Sequence, residues 1–316
     1  VGALRVWVEV ADGQARSAQA DVALRDVLLR FPGNEQALAL QRVQGRISAE
    51  RQARTLRVAA QDLSFASGAV EVAPARWALL LREPAVEGQG GAGFDGGEFS
   101  ADRIDLGALA TLAAQLPLGQ ALHKLLAELA PSGEIRGLDG RWDGPIDAPR
   151  SYQFKAQAQG LSIAAAPAAQ AQHIGRPGWR NATLDIEASE AGGRALLTLD
   201  KGALILPGVF EQPEVAFDAF TTKVLWRVTA GSGAPAAMEV SLADTQFANA
   251  DAHGRVAKAV WRSGSGAGFA RGGRFPGRLE LNALLTQGRA AAVARYLPLG
   301  LPESARRYVQ NAVRDG

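Results

Sequence analysis

Leu4-Arg5-Val6-Trp7-Val8-Glu9-Val10, followed by Ala11-Asp12-Gly13, sets the pattern for the whole chain. Apolar residues occupy every second position and a turn dipeptide closes the run, which is the period of a strand buried on one face. The same reading recurs at Asp21–Leu24, Thr55–Val58, Arg76–Leu81, Ser151–Ala158, Ala182–Ala188 and Ala195–Leu199. It continues at Val215–Phe217, Lys223–Val228, Met238–Leu242 and Arg278–Ala283, and Gly, Pro, Asp or Asn punctuates nearly every gap. The expectation is a mainly β chain with a few helices, its strands forming one long antiparallel meander.

Two segments depart from that rhythm. Between Asp105 and Ala130, Leu106, Leu109, Leu112, Leu116, Leu122, Leu125, Leu126 and Leu129 fall at helical spacing, interrupted at Pro117. From about Thr286 to Val313 a second helical pattern carries Val293, Tyr296, Leu297, Leu301, Tyr308 and Val309, interrupted at Pro298 and Pro302. Both contain Leu-Pro-Leu-Gly, at 116–119 and 297–300, a separation of 181 positions (297 less 116). Helix pairs are therefore expected near 105–130 and 287–313, each preceded by alternating strands. The opening Gly2-Ala3-Leu4-Arg5-Val6-Trp7 resembles the strand that follows the first helix pair, Gly137-Leu138-Asp139-Gly140-Arg141-Trp142. This reads as a repeat at 1–133 and another at 134–316, each a set of strands ending in a helix pair, joined in one continuous elongated unit.

Composition narrows the function classes. The 316 residues are 47% apolar and 21% charged, an ordinary folded balance, with aromatics at only 6%. Lys plus Arg number 34 against 32 Asp plus Glu, a net charge of +2, with no basic run to track phosphates. Nucleic acid is not an expected partner. There is no Cys, which removes disulfides, thiolate metal sites and Cys nucleophiles together. No stretch reaches the roughly eighteen apolar residues that span a bilayer. Val1 lies inside an apparent strand and the sequence stops at Arg314-Asp315-Gly316, so a membrane anchor is expected outside this stretch.

The residues that could carry chemistry have no supporting context. His123 falls on the first helical segment, His173 in an Ala/Gln-rich loop and His253 in an expected turn, none with a second ligand at a metal-binding spacing. Gly88–Gly97 lacks the following helix and Lys of a phosphate loop, and reads, like Gly231–Gly233 and Ser263–Gly268, as a hairpin tip. Acid pairs such as Glu211 with Glu214, or Asp244 with Asp251, have no sequence reason to share a cleft, and no Ser stands in a nucleophile elbow. No catalytic, metal or cofactor residue is nominated, and an enzyme is not expected. Trp7, Trp77, Trp142, Trp179, Trp226 and Trp261 read either as core side chains or as the lining of an apolar groove. Trp7 and Trp142 occupy matching positions of the repeat.

Ile104-Asp105-Leu106 through Leu116-Pro117-Leu118 to Leu129-Ala130-Pro131-Ser132-Gly133-Glu134-Ile135, then Trp142-Asp143-Gly144, resembles the YhdP family within the AsmA-like group of bacterial envelope proteins. Tyr296-Leu297-Pro298 and Tyr308-Val309 support the likeness from the other end. The motifs are short and apolar, and their order carries more than any one of them. The resemblance implies a periplasmic protein tethered to the inner membrane. Its body would be a long, curved, taco-like sheet whose apolar groove conducts phospholipid between inner and outer membranes, and the family offers no catalytic residues.

In this chain the groove candidates are the alternating apolar positions Leu4, Val6 and Val8; Tyr152 and Phe154; Leu184 and Ile186; Val215 and Phe217; Val224, Trp226 and Val228; Val240 and Leu242; and Leu279 and Leu281. The expected partners are phospholipid acyl chains, with other envelope proteins as a further class. The alternative is a non-catalytic scaffold or assembly module in which the same faces bind protein.

Overall fold

The computed structural model describes residues 1–31, 36–84, 93–116, 118–146, 148–167, 174–229, 236–264 and 277–313. Fourteen antiparallel strands pair in chain order from β1 to β14, and the sheet does not close into a barrel. The chain divides within β8, at Gln157/Ala158, into two compact units.

The first unit holds β1 (Gly2–Ala11), β2 (Gln14–Leu29), β3 (Leu38–Gln52), β4 (Thr55–Ser67), β5 (Val70–Arg82), β6 (Gly96–Asp105), β7 (Ser132–Asp143) and the opening of β8 (Ser151–Ile163). The β1–β2 hairpin turns on Asp12 and Gly13, both at positive φ (54° and 72°), the tight turn whose twist matches its strands. Between β6 and β7 lies the first expected helix pair. Asp105 caps α1 (Leu106–Leu112) by accepting the Ala108 N–H at 2.9 Å. A 3-10 turn at Ala113–Gln115 and the Leu-Pro-Leu-Gly linker then lead to α2 (Gln120–Leu129), which ends at Ala130 in the left-handed region. Leu112 is buried against Leu38 and Leu40, with Val27, Phe31, Val43, Phe65, Val70 and Leu116 around them.

The second unit holds the rest of β8, β9 (Gly178–Ser189), β10 (Gly192–Ile205), β11 (Glu214–Thr229), β12 (Ala237–Ala248), β13 (Ala252–Arg262) and β14 (Arg278–Gly288). After β14 a 3-10 helix (Ala290–Tyr296), the second Leu-Pro-Leu-Gly and α3 (Glu303–Ala312) form the other expected helix pair. Tyr296 donates to Asp251 Oδ2 at 2.9 Å and accepts from Asn249 Nδ2 at 3.0 Å, while Arg295 reaches Asp251 at 2.6 Å. Asn249 and Asp251 belong to the β12–β13 turn, where Asn249 Oδ1 also accepts from the Asp251 and Ala252 amides. Phe210 meets Tyr296 edge to face and the Leu299 amide donates to the Val209 carbonyl, so the β10–β11 loop helps hold the same helix.

The strands are long, up to 16 residues in β2 and β11. Strict alternation over such a length is interrupted by residues with left-handed φ inside strands: Asp26 (53°), Asp62 (52°), Asn181 (56°), Lys201 (48°) and Asp244 (51°). At the first four, two successive residues point to the polar side (Arg25–Asp26, Gln61–Asp62, Arg180–Asn181, Asp200–Lys201) before apolar positions resume. Each such break returns the apolar residues beyond it to the same face as those before it, and a register shift accompanies all but Asp26. Gly45 shows the space this requires. A Cβ there would stand 2.7 Å from Leu63 Cα and 3.0 Å from the Asp62 carbonyl oxygen, beside the bulge of the neighbouring strand.

Two expectations need correction. His253 is the second residue of β13, paired with Ala248 and Gln287, rather than part of a turn. Trp7 and Trp142 lie on opposite faces. Trp7 pairs with Gln19 on the polar side, beneath the Arg5 guanidinium at 5.8 Å, whereas Trp142 pairs with Gly97 on the apolar side. His173, Gly88–Ala92, Gly231–Gly233 and 265–268 fall outside the described residues.

Candidate functional site

Directly opposed residues of an antiparallel ladder share a face, so the registers can be followed from strand to strand. In the first unit, Val6, Ala20, Ile47, Ala60, Trp77, Ala101 and Leu138 form one such row. Val8, Ala18, Ala49, Val58, Leu79, Phe99 and Gly140 form the next. Tyr152 and Phe154 stack at 6.4 Å on β8. Gln153 between them bonds Arg141 on the polar side, leaving both rings on the apolar side.

The second unit repeats the arrangement. Ile186, Ala195, Val224, Leu242, Ala259 and Leu281 make one row, and Ala188, Gly193, Trp226, Val240, Trp261 and Leu279 make another. Leu184 stands opposite Leu197, and Val228 opposite Met238. Val215 and Phe217 are odd-numbered and Val224 and Trp226 even-numbered, yet the Phe217 and Phe220 rings meet at 5.1 Å. The face is thus shared despite the change of parity. Every groove candidate of the second unit lies on this one face, and those of the first unit lie on the apolar face there.

Two aromatics extend across glycines. A Cβ on Gly97 would meet the Trp142 ring at 2.5 Å, and one on Gly193 would meet the Trp226 ring at 2.4 Å. Each indole covers the backbone of the neighbouring strand, filling the space a side chain would occupy. Within the face the buried Thr222 and Thr245 hydroxyls bond each other at 2.6 Å.

The opposite face is a lattice of exposed ion pairs. Arg46 holds Asp21 through two bonds, Arg180 holds Glu214, Lys223 holds Asp244, and Lys258 and Arg262 share Glu280. The hydrogen bond from Arg46 keeps the Asp21 carboxyl below the usual carboxylate range, as Arg180 does for Glu214 and Lys258 for Glu280. Glu214, Asp244 and Asp251, weighed in the sequence as possible acid pairs, are each held by a cation instead. Among the described residues no three His, Cys, Asp or Glu gather as a metal set, and no helix is long and apolar enough to cross a membrane.

The apolar face is only partly sealed. Leu199 is fully buried, but Val224, Trp226, Val228, Val240 and Leu242 are half-buried. On the outer strands Leu4, Val6 and Val8 are 53–59% exposed, and Leu279 and Leu281 are 60% and 62% exposed. In the first unit a cavity of about 660 Å³ lies beside α1, lined by Val27, Leu28, Leu40, Val70 and Leu112 with Gln41, Ser67, Thr111 and Gln115 among its polar groups.

Sequence reasoning did not nominate Ile47, Leu79, Phe99 or Leu197, which share these rows, and left Trp77 and Trp261 open between core and groove lining. The alternation around Trp77 and Leu79 was the available signal, whereas Ile47 is hidden by the Gly45 irregularity.

The family model of the YhdP protein matches residues 1–316, the full length of the chain. No curated protein and no solved structure gives a match.

Proposed function

The chain belongs to the YhdP family of bacterial envelope proteins, and from that premise we propose that its apolar face holds phospholipid acyl chains and conducts them along the ladder rows. The observation that carries this reading is the unbroken apolar row across β9–β14, backed by an ion-paired face on the other side. Six strands at the usual ladder spacing span about 24 Å. Each buried methylene contributes about 0.8 kcal/mol, so tails gain affinity from the length of the track without specific polar contacts. The Thr222–Thr245 pair leaves no unsatisfied hydroxyl to arrest a passing chain. In this reading the face does no chemistry. It lies in the periplasm of a protein tethered to the inner membrane, and phospholipid crosses between the two membranes along it. These finer points rest on the family resemblance.

The experiment is native mass spectrometry with lipid extraction, on protein purified from bacterial membranes in mild detergent. Phospholipid is expected at near-stoichiometric amounts, and it should be lost from Phe217→Glu and Val240→Glu variants whose circular dichroism is unchanged. Lipid-free wild-type protein would overturn the proposal and favour a scaffold whose apolar faces bind protein.

A further inference from the structure

The apolar face of the second unit is not uniform along its strands. Trp226, Val240, Trp261 and Leu279 stand in one row, near the end of the sheet that carries the β9–β10 turn. Both indoles are half-buried, and among the described residues none accepts a hydrogen bond from the Trp226 N–H. Such rings suit a boundary that is apolar on one side and polar on the other.

One residue nearer the strand ends, the next row reads Arg227, Glu239, Arg262 and Arg278. Glu239 is taken by Arg262 at 2.7 Å, and Arg262 directly opposes Arg278, a like-charged pair that is unfavourable in itself. Among the described residues Arg227 and Arg278 make no salt bridge. These arginines leave the opposite side of the sheet, but they stand at or near its end. There a long stem can carry its charge past the strand toward an anion, as it does at a membrane surface.

The other end of the face is dry. Leu199 is 0% exposed and opposes Phe220 across the ladder. Beyond it, Arg295 and Tyr296 of the 3-10 helix are committed to Asp251 in the β12–β13 turn. From Phe220 to Arg227 the strand advances seven residues (227 less 220), about 23 Å at the usual rise. One leaflet of a bilayer, headgroup included, is about 20–22 Å thick. The stretch therefore has the length of one lipid, with a buried floor at Leu199 and cations at the opposite end.

We infer that a glycerophospholipid lies along the strands of this unit with one polarity. Its tail ends rest at Leu199 and Phe220, its ester region against Trp226 and Trp261, and its phosphate at Arg227 and Arg278. This rests on the proposed lipid reading and adds direction to it. Lipids then pass from strand to strand side by side, every head at the same end of the strands.

The test adds spin-labelled phosphatidylcholines to the full chain and measures tryptophan quenching. The nitroxide is carried at the headgroup, near the ester end of a tail, or near its methyl end. The share due to Trp226 and Trp261 is isolated by subtracting Trp226→Phe and Trp261→Phe, measured singly so that either suffices if the other misfolds. Headgroup and ester-end labels are expected to quench this share most, and the methyl-end label least. Trp179, opposite Leu204 toward the far end of the same face, should escape the headgroup label, as subtraction of Trp179→Phe will show. Replacing both exposed arginines, Arg227→Gln with Arg278→Gln, should lower affinity for phosphatidylglycerol about tenfold. Binding of diacylglycerol with the same chains should not change, and inorganic phosphate alone should not compete with the lipid. Equal quenching at all three depths, or strongest quenching from the methyl end, would overturn the polarity and leave the lipid reading intact. Competition by inorganic phosphate, or equal losses for the two lipids, would overturn the phosphate assignment. No quenching by any label would overturn both readings.

Discussion

The Tyr296 hydroxyl stands 2.9 Å from Asp251 Oδ2 and 3.0 Å from Asn249 Nδ2, tying the helix after β14 to the turn between β12 and β13. Burial, with the hydrogen bond to Asp251 next, raises the Tyr296 phenol above its ordinary value, so it remains a donor across the physiological range. Tyr296→Phe removes a bond to a charged acceptor and leaves the Asn249 amide without it. A loss of about 1.5–3 kcal/mol in denaturant unfolding is expected, with the far-ultraviolet spectrum unchanged. A variant as stable as the parent would mean that this contact does not hold the helix.

The glycines beneath the indoles should be intolerant. On Gly193 a Cβ would stand 2.4 Å from the Glu187 carbonyl oxygen as well as from the Trp226 ring, so the backbone itself obstructs it. Gly193→Ala should cost about 1–3 kcal/mol and shift the tryptophan emission as Trp226 is displaced. Gly13, in a β-turn with nothing within 4 Å of its Cβ position, is no control for space because its φ is positive. Ala195→Gly on the same strand serves better, since it removes volume without obstruction and should leave emission unchanged.

Asp62 adopts φ of 52° within β4. Asp62→Gly should be nearly neutral, whereas Asp62→Val should lose about 1–2 kcal/mol, because a β-branched residue resists the left-handed region. Urea unfolding of the two variants distinguishes backbone conformation from the lost carboxylate, which both remove.

Acid should weaken the protein through its polar face. Asp21, Glu214 and Glu280 are held below the ordinary carboxylate range, principally by hydrogen bonds from Arg46, Arg180 and Lys258. A carboxylate depressed in the folded state contributes stability that is fully present above its unfolded value, near pH 4. That contribution is lost as pH falls through the folded value. Melting temperature should therefore decline from about pH 5 downward, and Asp21→Asn should flatten part of the decline. All three pairs are exposed, so molar salt should shrink the effect. A melting profile flat from pH 6 to pH 3 would contradict it.

Much of the fold was legible because most strands keep a period of two between turn residues, and because the repeated Leu-Pro-Leu-Gly marks both helix pairs. β3 and β13 were not. In β3, Leu38 and Leu40 are separated from Ile47 by Gly45, whose neighbour across the ladder is bulged. In β13 a register shift between Val256 and Lys258 spoils the alternation, and His253 was assigned to a turn. The groove candidates converged because each was chosen within a short run on one side of a bulge, as Val215 with Phe217 and Val224 with Trp226 were. That these two runs share a face despite their odd and even numbering could not be read from either run alone. Trp7 and Trp142, placed at matching positions of the repeat, face opposite ways. Matching sequence positions do not carry side-chain direction once one residue of register has been gained or lost.

The left-handed residues also shape how such a chain can change length. In an ordinary strand a single-residue insertion inverts the parity of everything beyond it and turns an apolar edge toward water. Here Asp26, Asp62, Asn181, Lys201 and Asp244 each mark a point where parity is already reset. A one-residue deletion at such a point restores regular pleating locally and leaves the apolar residues beyond it on their original face. Strands of this kind can drift in length over evolutionary time while their oily side keeps its continuity.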